Sequence, residues 1–81
     1  MATPAEDLVA VVRLLVDDAR AVRVEAVDVG GGSVELELRA AADDCGKVIG
    51  RRGRAIDALR TLVRVRGERE GRPHGVELVE D

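Results

Sequence analysis

The sequence predicts a two-layer α+β domain in which three helices cover one face of a three-stranded sheet. Three observations predict this fold. Two segments repeat apolar residues at helical spacing, two others alternate apolar and polar residues around a run of glycines, and a short apolar segment lies near the end of the chain. With one short helix before the second long one, the order is α-β-β-α-α-β. The 81 residues are enough for a single domain, spanning residues 1–81.

The first predicted element is a helix over about residues 4–18. Thr3 is suited to the N-cap, Pro4 to the first helical position and Glu6 to the third position of a capping box. The apolar residues that follow recur at the spacing of one buried helix face: Leu8, Val11, Val12, Leu15, Val16 and Ala19. This segment therefore predicts an amphipathic helix.

A β-hairpin is predicted next, over about residues 22–29 and 34–38. In the first strand Val22, Val24 and Ala26 alternate with polar neighbours, whereas the later valines break the parity and predict a bulge or a twist near its end. The turn is a Gly-Gly-Gly-Ser run. In the second strand, slippage by one residue would bury two glutamates, so its register is well specified.

The second half of the chain predicts a short helix, a loop and a long helix. Asp43 or Asp44 is suited to cap a helix that runs to about Ile49. A loop at residues 50–53 then leads to a helix over about residues 54–66. The inner side of this helix carries Ala55, Ile56, Leu59, Leu62 and Val63.

The remaining segments predict a loop and a last strand. Residues 67–75 are polar and glycine-rich, which is typical of a loop, and residues 76–79 read Val-Glu-Leu-Val, which favours a short strand. No internal repeat and no long linker divides the chain. We therefore expect the three strands to form one sheet.

The most informative motif is the loop Gly50–Gly53, whose two central residues are arginines. Because glycine has no Cβ, the backbone at both ends of the loop can come very close to a ligand. The arginines, and the helix N-terminus directly after them, favour an anion. Lys47 and Arg54 flank the same loop. The arrangement suits a nucleic-acid phosphate, and a plain turn between two helices is the structural alternative.

Charge is unevenly distributed along the chain, whose net charge is −3. Residues 47–72 contain nine basic and three acidic residues, a balance of +6, whereas the rest contains four arginines and thirteen acidic residues, a balance of −9. A basic segment centred on the loop therefore accompanies an acidic remainder, which favours a polyanionic ligand at the loop. The alternative is that both sets of charges are simply solvated surface.

The run from Ala42 to Arg54, ADDCGKVIGRRGR, resembles the signature of the bacterial single-KH-domain proteins of the KhpA family. That family typically shows the pattern D-x-G-K-V-I-G-x-x-G-R, and its VIGxxGR core is more specific than GXXG alone. The resemblance covers essentially the whole chain, since the family has the α-β-β-α-α-β order of a type II KH domain. It therefore implies a type II KH fold.

The resemblance also implies a small cytoplasmic RNA-binding protein that acts as an RNA chaperone. It implies a complex with a larger KhpB-like KH-containing partner, self-association as a homodimer, and a link to cell elongation, cell shape and peptidoglycan homeostasis. Single-stranded RNA would bind through its sugar-phosphate backbone. The expected contact residues are Lys47, Gly50, Arg51, Arg52, Gly53 and Arg54, with Arg60 and Arg64 as further candidates.

Some of these residues also have structural interpretations. Arg60 and Arg64 either extend the basic track along the long helix or are solvated partners of Asp57, which is able to pair with Arg60 at i, i+3. Val48 and Ile49 are expected in the core. For the domain as a whole, the alternative function is protein interaction: a KH fold whose main role is dimerisation with a partner and which binds little RNA of its own.

Other classes of site are poorly supported. We expect no catalytic residue, metal site or cofactor, because His74 stands alone in a predicted loop and a Cys45–His74 pair lacks the third group of a nucleophilic triad. No apolar run approaches the roughly 20 residues of a membrane span. The single cysteine fits a reducing cytoplasm. Because the chain has no aromatic residue, bases cannot stack on aromatic rings, so a single domain should bind modestly and with strong salt dependence.

Overall fold

The computed structural model describes residues 2–80 and has the predicted order of elements. The helices α1, α2 and α3 comprise Pro4–Leu15, Cys45–Ile49 and Arg54–Arg69, and the strands β1, β2 and β3 comprise Arg23–Gly30, Ser33–Arg39 and His74–Leu78. Short 3₁₀ turns lie at Ala19–Ala21, Ala42–Asp44 and Arg51–Gly53. No helix within residues 2–80 is both long enough and apolar enough to cross a membrane.

The strands form one sheet in the order β1-β2-β3. β2 is central, antiparallel to β1 and parallel to β3. A parallel pair requires a crossover connection, which α2 and α3 provide. The register shifts between Asp28 and Gly30, which confirms the irregularity predicted near the end of β1.

The core lies between the sheet and the helices, and β2 supplies its centre. Val34, Leu36 and Leu38 are almost fully buried, as the alternation predicted. The residues that complete this cluster are Leu8, Val12, Val22, Val48, Ile56, Leu59, Val63 and Val76. The predicted α+β architecture, with three helices on one face of a three-stranded sheet, is therefore confirmed.

The opposite face of the sheet is open and carries charged side chains. Glu25 pairs in register with Glu37, and Glu37 pairs with Glu77, so three glutamates form a row across the three strands. Like charges directly opposite one another on a sheet are unfavourable. Some of the acidic residues outside the basic segment, Glu25, Glu37 and Glu77, therefore lie on the face of the sheet away from the helices.

The predicted capping box at the start of α1 is confirmed. The Thr3 hydroxyl accepts a hydrogen bond from the Glu6 N–H, and the Glu6 carboxylate accepts one from the Thr3 N–H, each at 3.1 Å. The backbone hydrogen bond from Thr3 holds the pKa of Glu6 below its usual value. Pro4 takes the first helical position, as predicted.

α1 ends at Leu15, three residues earlier than predicted. The backbone N–H groups of Asp17 and Asp18 donate to the Asp44 carboxylate, at 3.2 and 2.9 Å, instead of to helix carbonyls. The chain consequently turns away before the predicted apolar stripe is complete. Leu15, which that stripe placed inside, is 41% exposed.

α3 continues to Arg69, beyond its predicted end. Gly71, with φ of 76°, takes the left-handed position after the helix. The Gly71 N–H donates to the Glu68 carbonyl and the Arg72 N–H to the Gly67 carbonyl, both at 3.0 Å, which is the bonding of a Schellman motif. The prediction that the loop begins at Gly67 was therefore wrong, because the second glycine terminates the helix.

The strand boundaries differ from the predictions in smaller ways. β3 begins at His74, two residues early, and the Val79 N–H still donates to the Leu38 carbonyl at 2.8 Å beyond its end. On β1, Ala26 was expected inside but is exposed. β1 is an edge strand, so the helices cover its inward face only in part.

Candidate nucleic-acid interface

The loop between α2 and α3 is a tight turn built on three positive φ angles. Gly50, after the last residue of α2, has φ of 77° and ψ of 173°. Arg52 has φ of 58° and Gly53 has φ of 73°. The Gly53 N–H donates to the Gly50 carbonyl at 3.2 Å. The two glycines therefore occupy backbone conformations that residues with a side chain rarely adopt. Arg52 also has a positive φ, although its Cβ makes this conformation unfavourable.

Gly50 is also required by packing. A Cβ at this position would lie 2.6 Å from the Ala55 Cβ and 2.9 Å from the Ala55 backbone nitrogen. The first turn of α3 thus packs directly against the backbone at the end of α2. A Cβ at Gly53, in contrast, would lie 4.0 Å from the Ile56 Cγ2, which is an ordinary van der Waals contact. The first glycine permits close helix packing, and the second permits the left-handed turn.

Three arginines project around this turn into solvent. The side chains of Arg51, Arg52 and Arg54 are exposed, and within residues 2–80 none of these side chains forms a hydrogen bond or an ion pair. The backbone N–H of Arg54 already donates to the Arg51 carbonyl. The N-cap of the 16-residue α3 is Gly53, and no side chain caps the helix. The positive end of a helix dipole attracts anions. Three exposed guanidinium groups therefore lie around the N-terminus of α3, an arrangement that favours an anion.

Lys47, predicted to flank the loop, is held by carboxylates. Its Nζ forms an ion pair with Asp17 and lies 3.7 Å from Asp44. The hydrogen bond to Asp17 raises the pKa of the Lys47 ammonium group. Lys47 therefore links α2 to the segment that follows α1 and does not extend freely beside the two loop arginines.

Asp44 is the central residue of this link, and its role was not predicted. It is 2% exposed, and its two carboxylate oxygens accept the backbone N–H groups of Asp17 and Asp18. The bond from Asp18, reinforced by the one from Asp17 and by Lys47, lowers the pKa of Asp44 against the opposing effect of burial. Of the two predicted capping residues, Asp43 and Asp44, it is Asp44 that takes the N-cap position of α2. Its side chain makes no capping bond and turns towards the α1–β1 connection instead.

Comparison with known proteins decides the family. The KhpA/KhpB KH-domain family matches residues 5–78, almost the whole chain. The chain belongs to this family. The resemblance predicted from the run between Ala42 and Arg54 is thereby confirmed, and so is the assignment of the α-β-β-α-α-β fold as a type II KH domain. The KhpA/KhpB family is a KH-domain family and not an enzyme family.

Curated relatives agree with this membership over most of their length. A protein of Caldanaerobacter subterraneus subsp. tengcongensis, named RNA-binding protein KhpA, is 39% identical over 85% of this chain and 91% of its own. Proteins of the same name from Treponema pallidum and Leifsonia xyli subsp. xyli are 38% and 45% identical, over 99% and 88% of this chain and 100% and 90% of their own. No solved structure matches the chain significantly.

In this KhpA/KhpB-family domain, the two further arginine candidates lie on one flank of α3. Arg60 pairs with Asp57 at 3.2 Å, as its spacing predicted, and remains about half exposed. Arg64 has no hydrogen bond or ion pair within residues 2–80 and lines a groove near the end of α3. Asp57 therefore pairs with one of its two predicted partners, Arg60, whereas the Arg64 side chain is exposed on the same flank of α3.

Ile49 was expected in the core, and this prediction was wrong. Val48 is fully buried, as expected, but Ile49 is 38% exposed. Ile49 is the last residue of the five-residue α2, and consecutive helical residues point about 100° apart, so with Val48 directed into the core Ile49 is directed towards its edge. An aliphatic side chain therefore lies at the surface beside the Gly50–Gly53 loop.

Two other basic residues of the positive segment are used internally. Arg66 pairs with Asp7, and its guanidinium also donates to the Ala2 carbonyl at 2.6 Å. Arg72 Nε donates to the Gly32 carbonyl at 3.0 Å. Not all nine basic residues of the segment 47–72 are therefore available to a ligand. Three of those that remain exposed without a side-chain partner within residues 2–80 lie at the loop: Arg51, Arg52 and Arg54.

Cys45 and the single histidine, His74, lie in different parts of the fold. Within residues 2–80, no group of three His, Cys, Asp or Glu side chains is placed to hold a metal ion. Cys45 is buried at the start of α2 and borders a groove with Val79, beyond the end of β3, whereas His74 begins that strand. Five residues of strand, about 16 Å, therefore separate His74 from the surroundings of Cys45.

Proposed function

We propose that this domain binds single-stranded RNA by clamping its sugar-phosphate backbone with the Gly50–Gly53 loop. The observation that carries the proposal is the geometry of Arg51 and Arg52, which are exposed and unpaired within residues 2–80 beside the uncapped N-terminus of α3. Guanidinium groups and backbone N–H groups are the donors that bind phosphates. The curated relatives carry the name RNA-binding protein, which supports the same ligand.

The proposed contacts follow from which donors are unpaired. Arg51, Arg52 and Arg54 bind phosphates directly, and Arg64 extends the track along α3. Lys47 and Arg60 already pair with carboxylates, so a phosphate would have to compete for them. Their main contribution is then to hold the loop and the flank of α3 in place, with secondary contact to the RNA.

We further propose that the domain acts with a partner. Without aromatic stacking platforms, a single copy gains affinity mainly from phosphate contacts, so a second linked RNA-binding domain would raise avidity. A larger KhpB-like KH-containing protein, or a second copy of this chain, would supply it. In this view the complex is a cytoplasmic RNA chaperone that influences cell elongation, cell shape and peptidoglycan homeostasis.

The first experiment is a titration of a fluorescent single-stranded RNA at several salt concentrations. The test variant is Arg51→Asp with Arg52→Asp. The matched control is Arg13→Asp with Arg20→Asp, which changes the net charge equally at exposed positions outside the loop and outside α3. Circular dichroism checks that both variants fold.

If the proposal is right, wild type and control bind with a negative slope of log affinity against log salt, and the loop variant loses at least tenfold in affinity at low salt, roughly the effect of two lost phosphate contacts. Equal losses in both variants would mean that net charge alone attracts RNA. Unchanged binding by the folded loop variant would overturn the proposal.

A second candidate function is protein interaction, and one observation favours it. Leu14 on α1 is 85% exposed and Val65 on α3 is 44% exposed, and apolar side chains of this kind do not bind RNA phosphates. If this were the main role, Leu14→Ser would abolish binding of a KhpB-like partner in calorimetry, and Arg51→Asp would have no effect on any measured activity. Loss of RNA binding in the loop variant together with unchanged partner binding by Leu14→Ser would exclude it.

A further inference from the structure

A shallow groove lies where α3 ends and β3 begins, away from the Gly50–Gly53 loop. The groove has a volume of about 510 Å³, which is within the range of volumes of small-ligand sites. It is lined by Arg64, Glu68, Gly71, Arg72, Pro73 and His74. Arg64 follows Gly53 by eleven residues, which places it about 16 Å further along α3. A strand of RNA held at the loop and running along the flank of α3 would reach this groove.

The floor of the groove is held rigidly by backbone hydrogen bonds. The Schellman bonds at Gly71 and Arg72 close the end of α3. The Pro73 carbonyl accepts from the Val34 N–H at 2.9 Å, and Arg72 reaches across to the Gly32 carbonyl. Because the loop is already ordered, little conformational entropy remains to be lost when a ligand enters.

His74 presents a defined face to the groove. Its Nδ1 lies 2.9 Å from the Arg72 carbonyl oxygen, which can only accept, so Nδ1 carries the proton and donates. In the neutral ring, Nε2 is then an acceptor. The ring is seated against Gly67, where a Cβ would lie 2.4 Å from Nδ1, so the helix carries a glycine to make room for it. The position and tautomer of His74 are therefore fixed by the fold.

The wall of the groove on α3 provides a donor and an acceptor that do not satisfy each other. The side chains of Arg64 and Glu68 are separated by one helical turn and both line the groove, yet within residues 2–80 neither side chain forms a hydrogen bond or an ion pair. A guanidinium, a carboxylate and an imidazole ring thus line an opening beside the ring of Pro73.

We propose that this groove binds a guanine base of the RNA, an inference that rests on the proposed function. The Watson–Crick edge of guanine presents one acceptor, O6, followed by two adjacent donors, N1–H and the N2 amino group. The Glu68 carboxylate accepts from both donors, while Arg64 donates to O6 or N7. Adenine would turn the lone pair of N1 towards the carboxylate, and uracil and cytosine lack two adjacent donors. The groove therefore gives the domain a base preference that phosphate contacts cannot supply.

The test compares two ten-nucleotide RNAs, uridine tracts that carry a single central guanine or adenine. The test variant is Glu68→Gln, which keeps the size of the side chain but replaces an acceptor oxygen by an amide donor. The matched control is Glu70→Gln, the same change at an exposed residue that does not line the groove. His74 is the only histidine, so with any affinity tag removed its ring protons report directly on the groove in NMR spectra.

The expected result is about tenfold tighter binding of the guanine RNA by wild type and by Glu70→Gln, the discrimination expected of a bidentate base contact. In Glu68→Gln this preference disappears while adenine RNA binds as before. The His74 ring signals should shift with guanine RNA and not with adenine RNA.

Four results would overturn the inference. Equal affinity of wild type for the two RNAs, or a guanine preference that survives Glu68→Gln, would reject the groove and leave the loop proposal intact. Unmoved His74 signals with bound guanine RNA would do the same. If neither RNA binds at all, the proposed function fails and the groove inference fails with it.

Discussion

Arg52 holds an unusual backbone conformation for a residue with a side chain. It is the only non-glycine residue within residues 2–80 with a positive φ, and this conformation costs about 1–2 kcal/mol for an ordinary L-residue. Asparagine tolerates it better. An arginine at this position therefore costs the fold some stability, and its guanidinium is well placed to contact a phosphate.

Arg52→Asn should consequently stabilise the fold while weakening RNA binding. We expect an increase in the free energy of unfolding of up to about 1 kcal/mol, or a Tm several degrees higher, because the strain is relieved. RNA affinity should fall several-fold because one phosphate contact is lost. Arg51→Asn is the control, since Arg51 has no positive φ: it should weaken binding without raising the Tm. A Tm gain in both variants, or in neither, would contradict this account.

The two glycines of the loop should differ in their tolerance of alanine. Gly50→Ala combines an unfavourable φ with a Cβ placed against Ala55, so we expect a loss of more than about 2 kcal/mol. Gly53→Ala meets only the cost of the left-handed conformation, about 1 kcal/mol. Urea denaturation of the two variants measures the difference. Similar losses would show that packing between α2 and α3 does not require the first glycine.

The position of the loop between α2 and α3 could be predicted from the sequence, because a glycine pair around two arginines marks an interruption between helices. The exposure of Ile49 and the burial of Asp44 could not be predicted. Apolar residues are usually buried and acidic residues are usually exposed. The exposure of Ile49 depends instead on the orientation of the five-residue α2, and the burial of Asp44 depends on its hydrogen bonds to a backbone segment 26 residues away. The sequence shows neither.

Among the elements, α2 depends most on a single side chain. Asp44 ties it to the α1–β1 connection through two backbone hydrogen bonds, and these bonds lower the pKa of the carboxyl group. The folded protein therefore binds this proton less readily than the unfolded chain does. The stability that Asp44 contributes is present above the ordinary aspartate pKa of about 3.9 and is lost as the pH falls through its lowered folded-state value.

Asp44→Asn should lower the Tm by several degrees at pH 7, because one N–H group would face an amide donor. The difference from wild type should shrink as the pH falls below about 4, because the unfolded wild-type chain takes up the Asp44 proton first and the folded protein takes it up only at lower pH. Asp43→Asn, at the exposed neighbouring position, should leave the Tm unchanged. Thermal melts between pH 2 and 7 would test this, and a Tm difference that stays constant with pH would show that the charge of Asp44 is unimportant.

The existence and order of the elements could be predicted, but some of their ends could not. The capping box fixed the start of α1 because its signal is local, involving Thr3 and Glu6 only. The end of α1 depends on a distant partner, because Asp44 takes the N–H groups that would have extended the helix, and the segment itself does not show this partner. The end of α3 depends on which of two glycines terminates the helix: Gly67 stays helical, and Gly71 takes the left-handed position.

Positive and negative charges lie on different parts of the molecular surface. Unpaired arginines gather at the Gly50–Gly53 loop on the helical side, and the row of Glu25, Glu37 and Glu77 crosses the open face of the sheet. The sequence predicted the imbalance between segments but not its distribution over opposite faces, which requires the strand register. Such a charge distribution would orient an approaching RNA towards the loop.

The glutamate row should lower stability as well, since its members are directly opposite one another on adjacent strands. Glu37 lies in the middle, so Glu37→Gln removes both unfavourable pairs and should stabilise the domain by about 0.5–1 kcal/mol at low salt. Salt screens this repulsion, so the Tm of wild type should rise more than that of the variant between 20 and 150 mM salt. RNA affinity should rise by less than about twofold, with an unchanged salt slope, because no phosphate contact is gained. A steeper salt slope in Glu37→Gln would mean that RNA also reaches the sheet, and the acidic face would then serve to exclude it from that surface.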